Sequence, residues 1–141
     1  MLEPGAYAVH RLVEAAGELV VNIPTTELLH EVDYCGNISG KTVNKIRKTG
    51  LTLEPAKKIQ TPLIKECPIN MECVVINRIP LGVHHLFLGR IVNLHIDQTV
   101  VTEKGDIDFS KISAIVYNHG EYWNLKEKIG THGFSIKEDT E

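Results

Sequence analysis

Residues 70–97 read NMECVVINRIPLGVHHLFLGRIVNLHID. Asn70 to Ile79 is dense in Val and Ile, and the spacing predicts a strand. His84 to Asp97 is predicted to be a longer strand. Leu86, Leu88, Val92, Leu94 and Ile96 fall at every second or fourth position, so they are expected on one face, with only Arg90 interrupting it. Two long apolar strands placed so close together set the class of the fold as mainly β.

The flanks add short elements. Upstream, Tyr7 to Ala16 carries Val9, Leu12, Val13 and Ala16 at helical spacing, and Gly17 is its expected stop. Glu18 to Ile23 (ELVVNI) reads as a strand closed by Pro24. Thr25 and Thr26 are candidate N-caps for a helix over Glu27 to Cys35, ended by Gly36 and Asn37. Ser39 is the expected cap of a third helix containing Val43 and Ile46, with Gly50 as a left-handed C-cap. From Leu51 to Pro68 the periodicity is poor, and Pro55, Pro62 and Pro68 predict loop with one or two short strands on a sheet edge. Downstream, Glu103-Lys104-Gly105-Asp106 is a turn by composition, Ile112 to Tyr117 is the last predicted strand, and the tail from Lys137 is polar and frayed. Small helices set among antiparallel strands give an α+β layout, either a β-barrel or one curved sheet.

The chain has 141 residues, which suits a single domain spanning 1–141. Its formal net charge of -3 gives no electrostatic footprint for nucleic acid and no attraction to an anionic membrane. No stretch is long and apolar enough for a transmembrane helix, and no secretory signal is visible. The three cysteines, Cys35, Cys67 and Cys73, form no paired CxxC, which fits a reducing cytoplasm. They are expected as small buried apolar residues.

Candidate binding residues divide into three groups. Ser39-Gly40-Lys41 with Lys45 sits where a helix N-terminus would offer free N–H groups to an anion, with Lys45 adding a point charge. The other reading of these residues is a capped surface helix with solvated lysines. His84 opens the long strand and can donate a hydrogen bond or stack on a ring, or simply face water. Tyr122 and Trp123 can wall a ligand, the mouth of a barrel or an interface. His84, His85, His95 and His119 show no metal-binding spacing, so no metal is expected. Asn22, polar within an apolar strand, is expected to satisfy backbone groups.

Taken in order, Gly17 to Pro24, Asp33 to Lys41 (DYCGNISGK), Lys45, Glu66-Cys67-Pro68, Glu72-Cys73, His84 to Gly89 (HHLFLG) and Gly120 to Trp123 (GEYW) give the sequence a recognisable outline. It resembles the flavin reductase-like, flavoredoxin-type family from about Leu12 to Ile136. The resemblance implies an FMN-binding split β-barrel that is a homodimer with FMN at the subunit interface. It implies that Ser39, Gly40, Lys41, Lys45, His84 and Tyr122 contact cofactor, and that His84 lies beside the flavin and its nicotinamide donor. Family members reduce flavin or ferric iron with NADH or NADPH, or pass electrons to a redox partner protein. The family also has strands ahead of the point matching Met1, and an Arg-Tyr-Thr-Tyr-like run where this sequence has Tyr7-Ala8-Val9-His10. The expectation is therefore a barrel incomplete at its N-terminus. Three readings stay open: a catalytic flavoprotein, an electron-transfer flavoprotein that uses no nicotinamide, and a dimerising domain that holds flavin weakly.

Overall fold

The structure, a computed structural model, describes residues 6–125 and 127–136. Helix α1 (Ala6–Ala16) leads into strand β1 (Glu18–Ile23), then α2 (Leu29–Asn37), α3 (Lys45–Thr49), β2 (Leu53–Glu54), β3 (Leu63–Ile64), β4 (Ile69–Leu81), β5 (His84–Ile96), β6 (Ile115–Asn118) and β7 (Glu121–Asn124). The main sheet is antiparallel in the order β1-β4-β5, and two two-stranded sheets, β2-β3 and β6-β7, stand beside it. These are open sheets with short helices, the mainly-β class expected. The polar tail, residues 137–141, lies outside the described residues.

The helix stops fall where the sequence puts them. Gly17 (φ 68°) and Gly50 (φ 73°) turn the chain left-handed after α1 and α3, a conformation that costs any residue with a Cβ. The caps differ from expectation. Thr25 precedes, and Thr26 opens, a single 3-10 turn (Thr26–Leu28) before α2, and Thr25 makes no side-chain cap. Its backbone bridges to Ala114 instead, and Thr26 donates to the Ser113 carbonyl at 2.8 Å. Tertiary pairing has taken the residue that local chemistry would use as a cap. Ser39 does not cap α3 either. Asn44 does, its Oδ1 accepting from Arg47 N at 3.0 Å, so Val43 stays outside a helix of only five residues.

The expected single face of β5 is broken by bulges. Glu72 pairs with Asn93 and Cys73 with Ile91, so Val92 is extra; Ile76 is extra on β4. A one-residue slip moves every later side chain to the other face. Leu94 and Ile96 therefore lie with Ile69 and Cys73, whereas Leu86 and Leu88 lie on the face carrying Glu72 and His95. Sequence periodicity cannot reveal a slip that depends on a partner strand.

The first of these faces holds the core. Ile69, Val100 and Ile112 are buried together, with Ile23, Ile96, Ile107 and Ala114 packed on them. At the far end of that face α1 lies against the β4-β5 hairpin. His10 stacks on His85 with ring centroids 4.3 Å apart, and Glu14 pairs with Arg78. The strand predicted over Ile112 to Tyr117 is the shorter and later β6, and it is not the last: it pairs with β7 through a two-residue turn of His119 (φ 50°) and Gly120 (φ 86°).

An added Cβ at Gly17 would meet nothing within 4 Å, so its substitution isolates the backbone term. Gly17→Ala is expected to cost about 1 kcal/mol and to lower the melting temperature by roughly 2–8 °C. A thermal melt with no shift would show that α1 does not depend on this stop.

Candidate functional site

Between α2 and α3 the chain turns on Ser39. Its carbonyl accepts from Thr42 N (3.1 Å), Val43 N (3.3 Å) and the Thr42 hydroxyl (3.0 Å), and its own hydroxyl accepts from Lys41 N at 3.3 Å. These bonds occupy much of the donor capacity that a helix N-terminus would have offered an anion. The turn borders an open hollow of about 600 Å³ lined by Gly40, Lys41, Thr42, Val43, Asn44, Lys45 and Ile46.

Lys45 is half-buried, and its Nζ donates to the carbonyl of Cys35 near the C-terminus of α2. A cation at that end of a helix is favourable to the dipole. Lys45 and Ile46 also border a second, mainly apolar hollow of about 260 Å³, walled by Leu28, Val32, Leu51 and Ile64. Cys35 and Cys67 line it too, and Cys67 is buried as expected; burial, with the Glu66 charge adding to it, pushes its thiol up to about 11. That makes Cys67 a poor thiolate.

Tyr122 holds α2 from another strand. Its hydroxyl donates to Asp33 Oδ1 at 2.9 Å, and this bond raises the phenol above its usual range. Trp123 is exposed beside it, and both line a hollow of about 430 Å³ with Thr26, Leu29 and Ile115. Lys45 and Tyr122 are thus both anchored to α2.

His84 is elsewhere. It pairs with Leu81 next to the hairpin turn and is exposed. Eleven residues further along β5, His95 is level with Asn70 and Asn22, and Asn22 borders the Lys45 hollow. That is a contour of roughly 36 Å at the rise of an extended strand. Ser39, Gly40, Lys41 and Lys45 are brought together; Tyr122 joins them through α2; His84 does not meet them within one chain.

The structure adds a cluster that the sequence reading missed. Glu72, near the start of β4, is 0% exposed. Its carboxylate accepts from Lys57 N (2.9 Å), Lys58 N (2.7 Å), Asn93 Nδ2 (2.9 Å) and His95 Nε2. Burial pushes the carboxyl up, but the bonds from His95, the two backbone amides and Asn93 outweigh it and hold the group down at about 2. The only sequence signal was an acid inside an apolar strand and an Asn-x-His on the next one. Strand register, which the sequence does not give, makes them neighbours. Among the described residues no three His, Cys, Asp or Glu side chains are grouped to hold a metal ion.

A family model for the flavin reductase like domain matches residues 6–126. An uncharacterized protein of Archaeoglobus fulgidus is 41% identical over 119 residues, covering 84% of this chain and 67% of its own. One of Pyrococcus abyssi is 35% identical, covering 59% of this chain and 47% of its own. The chain thus spans between about half and two thirds of the length of these relatives. Among solved structures, flavoredoxin of Desulfovibrio vulgaris (Miyazaki F) superposes with a TM-score of 0.84 at 25% identity, over 96% of this chain and 73% of that one. Nitrilotriacetate monooxygenase component B from Bacillus cereus gives 0.78 at 27%, over 88% and 64%.

The Glu72 carboxyl lies below its ordinary value near 4.5. Its contribution to stability is therefore complete above about pH 4.5 and lost as pH falls towards 2. Glu72→Gln is expected to lower the melting temperature at pH 7, and the gap to the parent should narrow steadily over that acid window. A gap that stays constant with pH would exclude the ionised carboxylate as the source.

Proposed function

The chain belongs to the flavin reductase-like family, and on that premise we propose that it is an FMN-binding redox protein that holds the cofactor between two copies of itself. The carrying observation is Lys45. It stands between an open, amide- and hydroxyl-lined hollow suited to a phosphate and an apolar hollow suited to a ring edge. Two donors fit the phosphate of FMN: an ammonium with hydrogens to spare after bonding Cys35, and the Ser39 hydroxyl, which accepts from Lys41 N and keeps its own hydrogen.

The ring needs more than one chain. The apolar hollow, at about 260 Å³, falls short of the roughly 300–1,000 Å³ typical of ligand pockets. Ile79, Leu81, Leu86 and Leu88 share one face of the β4-β5 hairpin and are each at least 39% exposed. A patch of this kind marks an interaction surface. Covering it with a second copy supports a homodimer and carries His84, at the same hairpin, to the neighbouring chain's cofactor.

Bound FMN supplies the hydride and electron chemistry. The protein's residues orient it. Lys45 and the 39–45 turn hold the phosphate, Tyr122 fixes α2 behind that turn, and His84 of the second copy steadies an incoming NADH or NADPH. The acceptor is a free flavin, ferric iron or a redox partner. One observation favours the reading of a domain that binds flavin weakly: the Lys45 ammonium already has a partner in Cys35.

FMN titration of the melting temperature separates these readings, because a ligand of the folded state must raise it. Lys45→Ala should weaken FMN binding about 10- to 100-fold, the worth of one charged hydrogen bond. No FMN-dependent shift in the parent would remove the cofactor reading. His84→Ala should slow stopped-flow reduction by nicotinamide while leaving FMN affinity near that of the parent. Equal losses in both would place His84 with the cofactor rather than the donor. Light scattering should give the mass of a dimer, and a monomer at high concentration would exclude the shared site.

A further inference from the structure

The connection between β2 and β3, residues 55–62, contains no helix or strand, yet the amides of Lys57, Lys58, Gln60 and Thr61 are all bonded to side chains. Two carboxylates on one face of the main sheet do this. Glu72 takes Lys57 N and Lys58 N. Glu18 Oε1 takes Gln60 N (2.8 Å), Thr61 N (2.7 Å) and the Thr61 hydroxyl (2.9 Å). Strand register puts Glu18 and Glu72 on the same face, since Glu18 pairs with Val74 and Val20 with Glu72. Between the two attachments Ile59 is buried. Just beyond them Asn22 Oδ1 accepts from Ile64 N at 3.1 Å.

Paired amides that receive an anion form a small concave site in many loops. Here both anions come from the chain itself, and no backbone ladder ties the segment to the sheet beneath. A segment held by a few discrete bonds and one apolar plug can open locally at a lower free energy than the sheet that carries it. The sheet is held independently, by the β1-β4-β5 ladders and the Ile69, Val100 and Ile112 core.

We propose that residues 55–62 are a strap that opens and closes as one unit, fastened by Glu72 at one end and Glu18 at the other. The strap's feet matter to the apolar hollow beside Lys45, because Ile64 and Cys67 on one side and Leu51 on the other wall it. Opening the strap loosens that wall and bares Cys67. Glu72 and Glu18 are in this sense positioning residues for the hollow, acting through the strap and touching no ligand. This inference stands whether or not the hollow serves FMN.

The strap carries its own probe. Lys57 and Lys58 are exposed while their amides face inward, so trypsin can cut there only when the segment leaves the sheet. Lys104, in the exposed turn at 103–106, serves as a reference site in the same chain. Glu72→Gln and, separately, Glu18→Gln should each speed cleavage after Lys57 and Lys58 at least tenfold relative to Lys104. Far-UV circular dichroism should stay unchanged, and sub-denaturing urea should barely alter the rate. Labelling of Cys67 by a maleimide, read by mass spectrometry, should rise in parallel. Glu18→Gln keeps the test alive should Glu72→Gln fail to fold. Unchanged cleavage in a folded variant overturns the strap. So does cleavage with the urea dependence of global unfolding. Faster cleavage with unchanged Cys67 labelling overturns the link to the hollow.

Discussion

A carboxylate with no solvent exposure must be fully hydrogen-bonded or it destabilises the fold by several kcal/mol. Glu72 sits under that constraint near the start of the central strand. Its four donors come from two places distant in sequence, the 57–58 amides and the side chains of Asn93 and His95. Satisfying it fixes the register of β5 against β4 and the path of the β2-β3 connection in one step. A strand pairing shifted by one residue would send Asn93 and His95 to the opposite face and leave the charge unpaired. The bulge at Val92, which would otherwise look like a fault in the ladder, directly follows the pair Glu72–Asn93 that this constraint requires.

The two faces of the sheet consequently do different work. One carries the small apolar core and, at its far end, the α1 contact through His10, His85, Glu14 and Arg78. The other carries acids and amides near β1, where the strap lies, and aliphatic side chains towards the hairpin turn. Polar residues inside a strand usually weaken it. Here Glu18, Asn22 and Glu72 substitute for a missing neighbouring strand by accepting the amides of an irregular segment. Among the described residues the aliphatic end has no such cover, and that asymmetry is the physical basis for proposing the hairpin as an interface.

The residues anchored on α2 gather at the other end of the molecule. Tyr122 reaches it from β7, across 89 positions of sequence, and Lys45 from α3. Both bonds use α2 as a fixed post, one through a side chain and one through a terminal carbonyl. This arrangement fixes the 39–45 turn against α2.

Much of this was legible in the sequence because it depends on local chemistry. The strand Glu18–Ile23 and the stops at Gly17 and Gly50 were determined within a few residues, by β-branched runs and by the need for a left-handed turn. The ordered motifs from Gly17 to Trp123 gave the family. Other features were decided only in three dimensions. Thr25 lost its capping role to a bridge with Ala114, and Ser39 lost its own to Asn44. The even-numbered apolar series of β5 was split by a bulge beside Glu72 on the neighbouring strand. Lys45 found a carbonyl, and His84 was carried away from it along a long strand. Each of these outcomes turns on which distant group competes for the same donor or acceptor. A sequence states what every residue can bond, but only the folded chain decides which of those bonds is made.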